Sequence, residues 1–246
     1  MKTTLLLIPS LVIFITLSSY TPANEYHIKR TAISVVQPGI PSQFEIADAL
    51  KQALAQGTAK SSDQLSAVDG FFKNGAIKIL FPPQAVKAEK TLRGLGMGKM
   101  CDDAILSMNR AAEDAAKQAK PIFIGAIEHM SLQDAMNILL GSQDAATQYF
   151  KRTTTDQLFA AFKPIVQTSL NKVGATKYYG DVAKEYNKVP FVSKINPDIS
   201  AYVTQKAIDG LFYEIAIEEL NIRKNIGARP SPVMQKVFAF ADSKMN

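Results

Sequence analysis

Two short segments place polar side chains where they could form a binding site in an otherwise apolar chain. The segment at 108–113 has an asparagine, an arginine and a glutamate within one helical turn. The segment at 144–152 has an aspartate, a threonine and an arginine around a tyrosine. If these segments pack together, the two arginines could meet the carboxylates and hold an anionic ligand, because a guanidinium forms paired hydrogen bonds with such groups. The candidate ligand-binding residues are Asn109, Arg110, Glu113, Asp144, Thr147, Tyr149 and Arg152.

The same residues allow two other interpretations. They could form a salt-bridge cluster that only fixes the register of the helices. They could also serve a hydrolase-type enzyme that uses carboxylates or tyrosines, for example Glu113 with Tyr149. That enzyme would need two carboxylates about 5–10 Å apart in one cleft. We therefore treat catalysis as uncertain and the less favoured interpretation.

Histidine and cysteine are too scarce for several common chemistries. The chain has two histidines and one cysteine, Cys101. A Ser-His-Asp or Cys-His arrangement needs a positioned imidazole, and only His129 is available away from the N-terminal region. Zinc sites need several Cys or His ligands, and an internal disulfide needs a second cysteine. The sequence therefore predicts no catalytic histidine, no metal and no cofactor, and it predicts that Cys101 is buried.

A glycine-rich stretch at 94–99 resembles a phosphate-binding loop only at first sight. A P-loop needs a glycine, four intervening residues, a Gly-Lys pair and then a Ser or Thr, but Arg93 and Met100 stand at the first and last of these positions. No predicted strand precedes the glycines, as a dinucleotide-binding motif requires. This stretch is predicted to connect two helices.

The N-terminus has the layout of a cleavable signal peptide. Lys2 precedes a mostly apolar run at 5–17, and small or polar residues follow up to Ala23. The run is shorter than the roughly 20 residues that cross a bilayer. No cysteine comes directly after this run, so a lipoprotein anchor is not expected. Residues 1–23 are therefore predicted to be a signal peptide, and the protein to be periplasmic or secreted without a later transmembrane segment.

The charge of the chain does not indicate a nucleic-acid partner. The sequence has 28 basic and 22 acidic residues, a net charge of +6, and the basic residues are scattered. A nucleic-acid-binding protein usually concentrates basic residues on one face. The expected partner is therefore another protein or a small anionic ligand, and the oligomeric state is undetermined.

The rest of the chain predicts one all-α, bundle-like domain at 42–246, after an exposed lead-in at 24–41. Capping boxes, in which residues three apart cap a helix reciprocally, are predicted at Ser42/Glu45, Ser131/Asp134 and Thr153/Asp156. Gly57, Gly94 and Gly141 predict helix ends. Pro121 predicts a break or kink, Pro164 a kink within a helix, and Pro197 the first position of the longest helix. Alternating apolar residues at 77–81 predict at most a short β-hairpin within 70–81.

Five motifs resemble a family of exported bacterial proteins that is catalogued as a domain of unknown function. They are DGFF, MNRAAE, KPIF, DAATQYFKRTT and DGLF, beginning at residues 69, 108, 120, 144 and 209. The resemblance covers roughly residues 45–240 and implies a helical protein of a Gram-negative-type cell envelope. It implies no activity, cofactor or catalytic residue. We expect a non-catalytic binding protein, with a hydrolase or a purely structural envelope protein as the alternatives.

Overall fold

The computed structural model describes residues 39–172, 174–188, 191–196 and 198–245. These residues contain nine α-helices and no strand, so the predicted all-α class is confirmed. The helices are α1 (Gln43–Ser66), α2 (Val86–Gly94), α3 (Gly98–Ala116), α4 (Ala119–Glu128), α5 (Leu132–Leu139), α6 (Ala145–Lys172), α7 (Ala175–Asn187), α8 (Ser200–Lys224) and α9 (Pro232–Met245). The predicted signal peptide, nearly all of the lead-in and Pro197 lie outside the described residues. Of the helices in the described part, none is both long and apolar enough to cross a membrane.

Two helices, α3 and α8, occupy the centre of the packing. Helix α8 packs against α1, α3 and α6, and α3 packs against α1, α6, α7 and α8. The alanines of α3 make this possible, because a side chain of one methyl group lets a neighbouring helix approach closely. Five of them are completely buried: Ala104, Ala111, Ala112, Ala115 and Ala116. Three aromatic rings from α4, α6 and α8 pack edge to face nearby, with Phe123 4.9 Å from Phe150 and 6.2 Å from Phe212 between ring centroids.

Two of the three predicted capping boxes open helices. The side chains of Ser42 and Glu45 cap α1, and those of Ser131 and Asp134 cap α5. The third prediction is wrong, because Thr153 lies inside α6. Its hydroxyl donates a 2.9 Å hydrogen bond to the carbonyl of Tyr149, one turn earlier. A threonine inside a helix can bond in this way, so the side chain stays in the helix instead of capping a new one.

Helix α1 does not end at Gly57, as the sequence predicted, but continues to Ser66. A Cβ atom at position 57 would lie 3.7 Å from Glu218 Cβ and 3.9 Å from Ile222 Cδ1 of α8. The glycine therefore lies at a helix–helix contact and does not terminate the helix.

The break predicted at Pro121 is present, but it lies one turn earlier than the proline. Helix α3 ends at Ala116, and Pro121 is the third residue of α4. Proline is tolerated in the first turn of a helix, where its missing N–H has no intrahelical partner to lose. Pro164 lies within α6. Gly96, with a φ of +84°, lies in the predicted connector between α2 and α3.

A loop at 67–82, which we call the clamp loop, connects α1 to a 3₁₀ turn before α2. Residues 78–82 form neither a helix nor a strand, so the β-hairpin allowed by the sequence is not formed among the described residues. Side chains from α3 and α8 hold this loop instead. Cys101 is buried, as predicted.

Candidate ligand-binding site

Asn109 holds the clamp loop by bonding to both backbone groups of one residue, Ile79. Its side-chain oxygen accepts from the N–H of Ile79 at 2.9 Å, and its side-chain nitrogen donates to the Ile79 carbonyl at 2.8 Å. The same nitrogen donates to the carbonyl of Ile105. Asn109 thus satisfies backbone groups in a segment that lacks regular secondary structure, and it is fully buried.

Glu113 and Arg110 hold the first turn of the clamp loop. Glu113 Oε1 accepts from the backbone N–H groups of Phe71 and Phe72, both at 3.2 Å. Arg110 joins the Glu113 carboxylate at 2.6 Å and the Asp69 carboxylate at 2.7 Å. Asp69 has a φ of +71°, a left-handed conformation that aspartate adopts more readily than most residues. Hydrogen bonds from Lys73 and Arg110 lower the pKa of Asp69, so its charge is retained at neutral pH.

Helix α8 packs against the other side of the clamp loop. Glu214 accepts a 2.7 Å hydrogen bond from Asn74 and a 3.3 Å bond from Gln64 of α1. A Cβ atom at position 210 would lie 2.5 Å from Cε1 of the fully buried Phe71. Gly210 is therefore needed for the close approach of the Phe71 ring to α8.

Thr147 belongs to a second network, at the junction of α5, α6 and α8. Glu219 of α8 accepts 2.9 Å hydrogen bonds from the N–H groups of Ala146 and Thr147 and from the Thr147 hydroxyl. Arg223 pairs with Glu219 at 2.9 Å and donates to the carbonyls of Ile138 and Leu139. A buried carboxylate thus satisfies the N-terminus of α6, and a buried guanidinium satisfies the C-terminus of α5.

Asp144 precedes α6 and has local partners only. Its carboxylate accepts from the hydroxyl of Ser142 at 2.6 Å and from the amide of Gln148 at 2.8 Å. These hydrogen bonds, with the Gln148 bond the stronger cause, lower the pKa of Asp144.

Tyr149 and Arg152 line a surface groove of about 470 Å³, which we call the Arg152 groove. The Tyr149 hydroxyl donates to the carbonyl of Ala126 at 3.1 Å, and Arg152 lies over the Tyr149 ring at 5.7 Å. Burial raises the pKa of Tyr149, and the charge of Asp134 adds to the effect, so the phenol is neutral at physiological pH. The complete lining is Gly125, Ala126, His129, Asp134, Tyr149, Arg152, Thr153 and Gln157.

Arg152 differs from the other four arginines in the described part of the chain. Each of those four forms a salt bridge with a carboxylate: Arg93, Arg110, Arg223 and Arg229. Arg152 forms neither a salt bridge nor a hydrogen bond with the described residues, and its side chain is exposed. Its guanidinium is therefore available to a ligand.

The predicted single network around both arginines is not formed. Arg110 pairs with Asp69 and Glu113, whereas Arg152 lines a different cavity and shares no partner with it. The structure thus brings Asn109, Arg110 and Glu113 together at the clamp loop, and Tyr149 and Arg152 together at the groove. Thr147 and Asp144 lie at the start of α6. Glu113 and Tyr149, the pair considered for a hydrolase, line separate cavities.

Sequence reasoning missed the buried charges of α8 and two residues of the groove. Glu219 and Arg223 follow Leu211 and Ile215 at intervals of four, so they continue the apolar stripe of the helix. Charged residues on a buried stripe could have indicated a buried ion pair. No sequence signal places His129 and Gln157 in one groove, because they come from the end of α4 and from α6 and meet only through packing.

The comparisons with known proteins identify a family and no function. Neither the curated proteins nor the solved structures include a match to this chain. A family model described as "Protein of unknown function (DUF4197)" matches residues 41–239, most of the described helices. The chain therefore belongs to the DUF4197 family.

Proposed function

We propose that this protein is an exported, non-catalytic binding protein that holds a small anionic ligand in the Arg152 groove. The single observation that supports this most strongly is the availability of Arg152, whose counterparts in the described chain all pair with carboxylates. Such a guanidinium favours a carboxylate or phosphate as its partner. Other polar side chains that line the groove are placed to contact the same ligand.

Three other side chains of the groove can contact such a ligand. His129 Nδ1 lies 2.7 Å from the Gly125 carbonyl, which can only accept, so Nδ1 carries the proton and Nε2 is left for another partner. Gln157 is exposed and offers both a donor and an acceptor. Asp134 would repel a second negative charge, so we expect a ligand that carries one anionic group and a hydroxyl or amino group.

A catalytic role is less well supported. Glu113 already accepts two backbone N–H groups and the Arg110 guanidinium, and it is only 5% exposed. The raised pKa of Tyr149 makes the phenol a poor base at neutral pH. Both features suit structure and binding better than proton transfer.

The export that we propose depends on the N-terminal sequence, since Lys2, the apolar run at 5–17 and Ala23 follow the order of a cleavable signal. N-terminal sequencing of the protein from a bacterial periplasmic fraction should find a mature chain beginning near residue 24. An uncleaved chain in the cytoplasm would contradict export.

Thermal denaturation with small carboxylates and inorganic phosphate tests the binding proposal. A ligand at about 100 times its Kd should stabilise the wild-type protein by about 2.7 kcal/mol. Arg152→Met should remove this gain while leaving the stability of the free protein unchanged within about 0.5 kcal/mol. Lys151→Met is a matched control, because it removes the neighbouring charge, which does not line the groove.

The result that would refute the Arg152 groove is stabilisation that Arg152→Met leaves intact. If no small anion, hydroxy acid or amino acid stabilises the wild-type protein, the proposed ligand class is wrong. A structural envelope protein would then be the better interpretation.

A further inference from the structure

Phe191 is the most exposed large apolar side chain in the described part of the protein. Its relative exposure is 108%, against 75% for Phe44, another exposed phenylalanine. Burying a side chain of this size is favourable. Contact of this ring with an apolar surface would therefore be favourable.

The backbone of Phe191 has an unfavourable conformation. Its φ is +63°, a left-handed conformation that is rare and unfavourable for a bulky residue. The chain on either side is anchored, because Asn187 bonds to both the N–H and the carbonyl of Ile195, at 2.9 and 3.1 Å. Ile195 is buried and Val192 packs against the core, so Phe191 is exposed next to residues that are fixed in place.

Lysines surround this aromatic side chain in the sequence. The interval 177–194 contains four lysines and two carboxylates, and both Lys188 and Lys194 are exposed. Glu185 pairs with Lys188 at 2.7 Å, whereas Lys194 forms no salt bridge with a described residue. An exposed aromatic ring flanked by cations matches a membrane interface, where apolar groups enter below the headgroups and lysines contact anionic lipids.

We propose that Phe191, Lys188 and Lys194, together called the Phe191 tip, dock this protein on bilayers that contain anionic phospholipids. The ring enters the interfacial region, and the two lysines lie at the level of the headgroups. The positive charge of the interval favours an anionic lipid surface over an apolar protein groove as the occupant. This inference uses none of the residues of the Arg152 groove and is independent of the proposed ligand.

Replacing Phe191 with tryptophan reports insertion directly, because the protein contains no tryptophan of its own. Phe191→Trp and the control Phe44→Trp are each titrated with vesicles of phosphatidylcholine alone or with added phosphatidylglycerol. The indole emission of the Phe191→Trp variant should shift to the blue and be quenched by brominated lipid only with phosphatidylglycerol present. The emission of the Phe44→Trp variant should not change. Because both variants are made in the full chain, any membrane contact of the apolar N-terminal run is common to both, and the fluorescence reports each site separately.

Neutralising Lys188 and Lys194 tests whether their charges contribute to binding of anionic vesicles. In the Phe191→Trp background, Lys188→Gln with Lys194→Gln should raise the lipid concentration for half-maximal shift by about tenfold or more, since each lysine near an anionic surface contributes about 1 kcal/mol. The matched control, Lys87→Gln with Lys90→Gln on α2, should leave that concentration unchanged, because both lysines are exposed and neither forms a salt bridge with a described residue.

Three results would each overturn the proposal. The first is that the emission of the Phe191→Trp variant does not respond to vesicles, which would favour a partner protein as the occupant. The second is that it responds equally without phosphatidylglycerol. The third is that the Lys188→Gln, Lys194→Gln variant and the control lysine variant change the lipid concentration for half-maximal shift equally.

Discussion

At the scale of single residues, the charged side chains differ in whether the fold already uses them. Arg110 connects two carboxylates, and one of these also holds the backbone of Phe71 and Phe72. Arg152 lies over the face of the Tyr149 ring and forms no salt bridge with a described residue. The two arginines look equivalent in the sequence, since each stands on a predicted helix next to another polar or charged residue, but only Arg110 has carboxylate partners among the described residues.

Replacing each arginine with methionine should therefore give different results. Arg110→Met leaves the buried Glu113 without its guanidinium and should lower the free energy of unfolding by about 2 kcal/mol. Arg152→Met should change it by less than about 0.5 kcal/mol, because the side chain is exposed and forms no ion pair with the described residues. Denaturation in urea measures both values. Equal losses for the two variants would contradict the distinction between a structural and an available arginine.

The sequence predicted which residue types matter but not which of them meet. The spacing of Asn109, Arg110 and Glu113 correctly placed three polar groups on one turn of a helix. In the clamp loop, Asn109 and Glu113 bond to backbone groups and Arg110 bonds to the Asp69 carboxylate. These partners are far away in the chain, as the Asn109–Ile79 separation of 30 shows. Such partners are determined by packing, and a local pattern contains no information about them.

At the scale of helices, the capping residues in the sequence predicted where helices begin better than glycines predicted where they end. The serines at 42 and 131 cap helices because the chain before them is free to turn away. Thr153 has the same spacing to an acidic residue, but the preceding turn of α6 is already helical and its hydroxyl bonds within that turn. Gly57 was misleading for a related reason, since a glycine marks either a helix end or a close contact, and only the packing decides which.

Gly57 of α1 lies against α8, and Gly210 of α8 lies against Phe71 of the clamp loop. Replacing each glycine with alanine should change the free energy of unfolding in opposite directions. Gly57→Ala places its methyl group at ordinary contact distance from α8 and should raise the free energy of unfolding by about 0.5–1 kcal/mol through helix propensity. Gly210→Ala forces a methyl group against the buried Phe71 ring and should lower it by about 1–3 kcal/mol. Chemical denaturation of the two variants tests this assignment. A destabilised Gly57→Ala would mean that α1 and α8 leave no room for a methyl group between them.

The junction of α5, α6 and α8 shows how helix ends are satisfied away from solvent. Each helix terminus leaves backbone groups without intrahelical partners, and these carry partial charge. Glu219 and Arg223, one turn apart on α8, supply a carboxylate to the start of α6 and a guanidinium to the end of α5. The pair therefore links three helices through charges that are buried together.

At the scale of the molecule, the described helices share one hydrophobic core, to which side chains from α1 through α9 contribute. The apolar periodicity of the sequence was sufficient to predict an all-α fold, because a helix with an apolar stripe must bury it against another helix. The apolar periodicity did not predict that α3 and α8 lie at the centre of the packing. This arrangement depends on how closely other helices can approach the buried alanines of α3, which is a property of pairs of helices.

A core that α3 and α8 share with most of their neighbours should unfold as one unit. We expect thermal unfolding of the wild-type protein to give coincident transitions by far-UV circular dichroism and by tyrosine fluorescence. Glu219→Gln should lower both midpoints together, with a loss of about 3 kcal/mol, because Arg223 is left buried without its carboxylate. Replacing both, as in Glu219→Leu with Arg223→Met, should recover part of that loss, since no buried charge is then unpaired. Two separated transitions in the Glu219→Gln protein would instead show that α5 and α6 detach locally, and that the buried pair joins parts of the molecule that are otherwise independent.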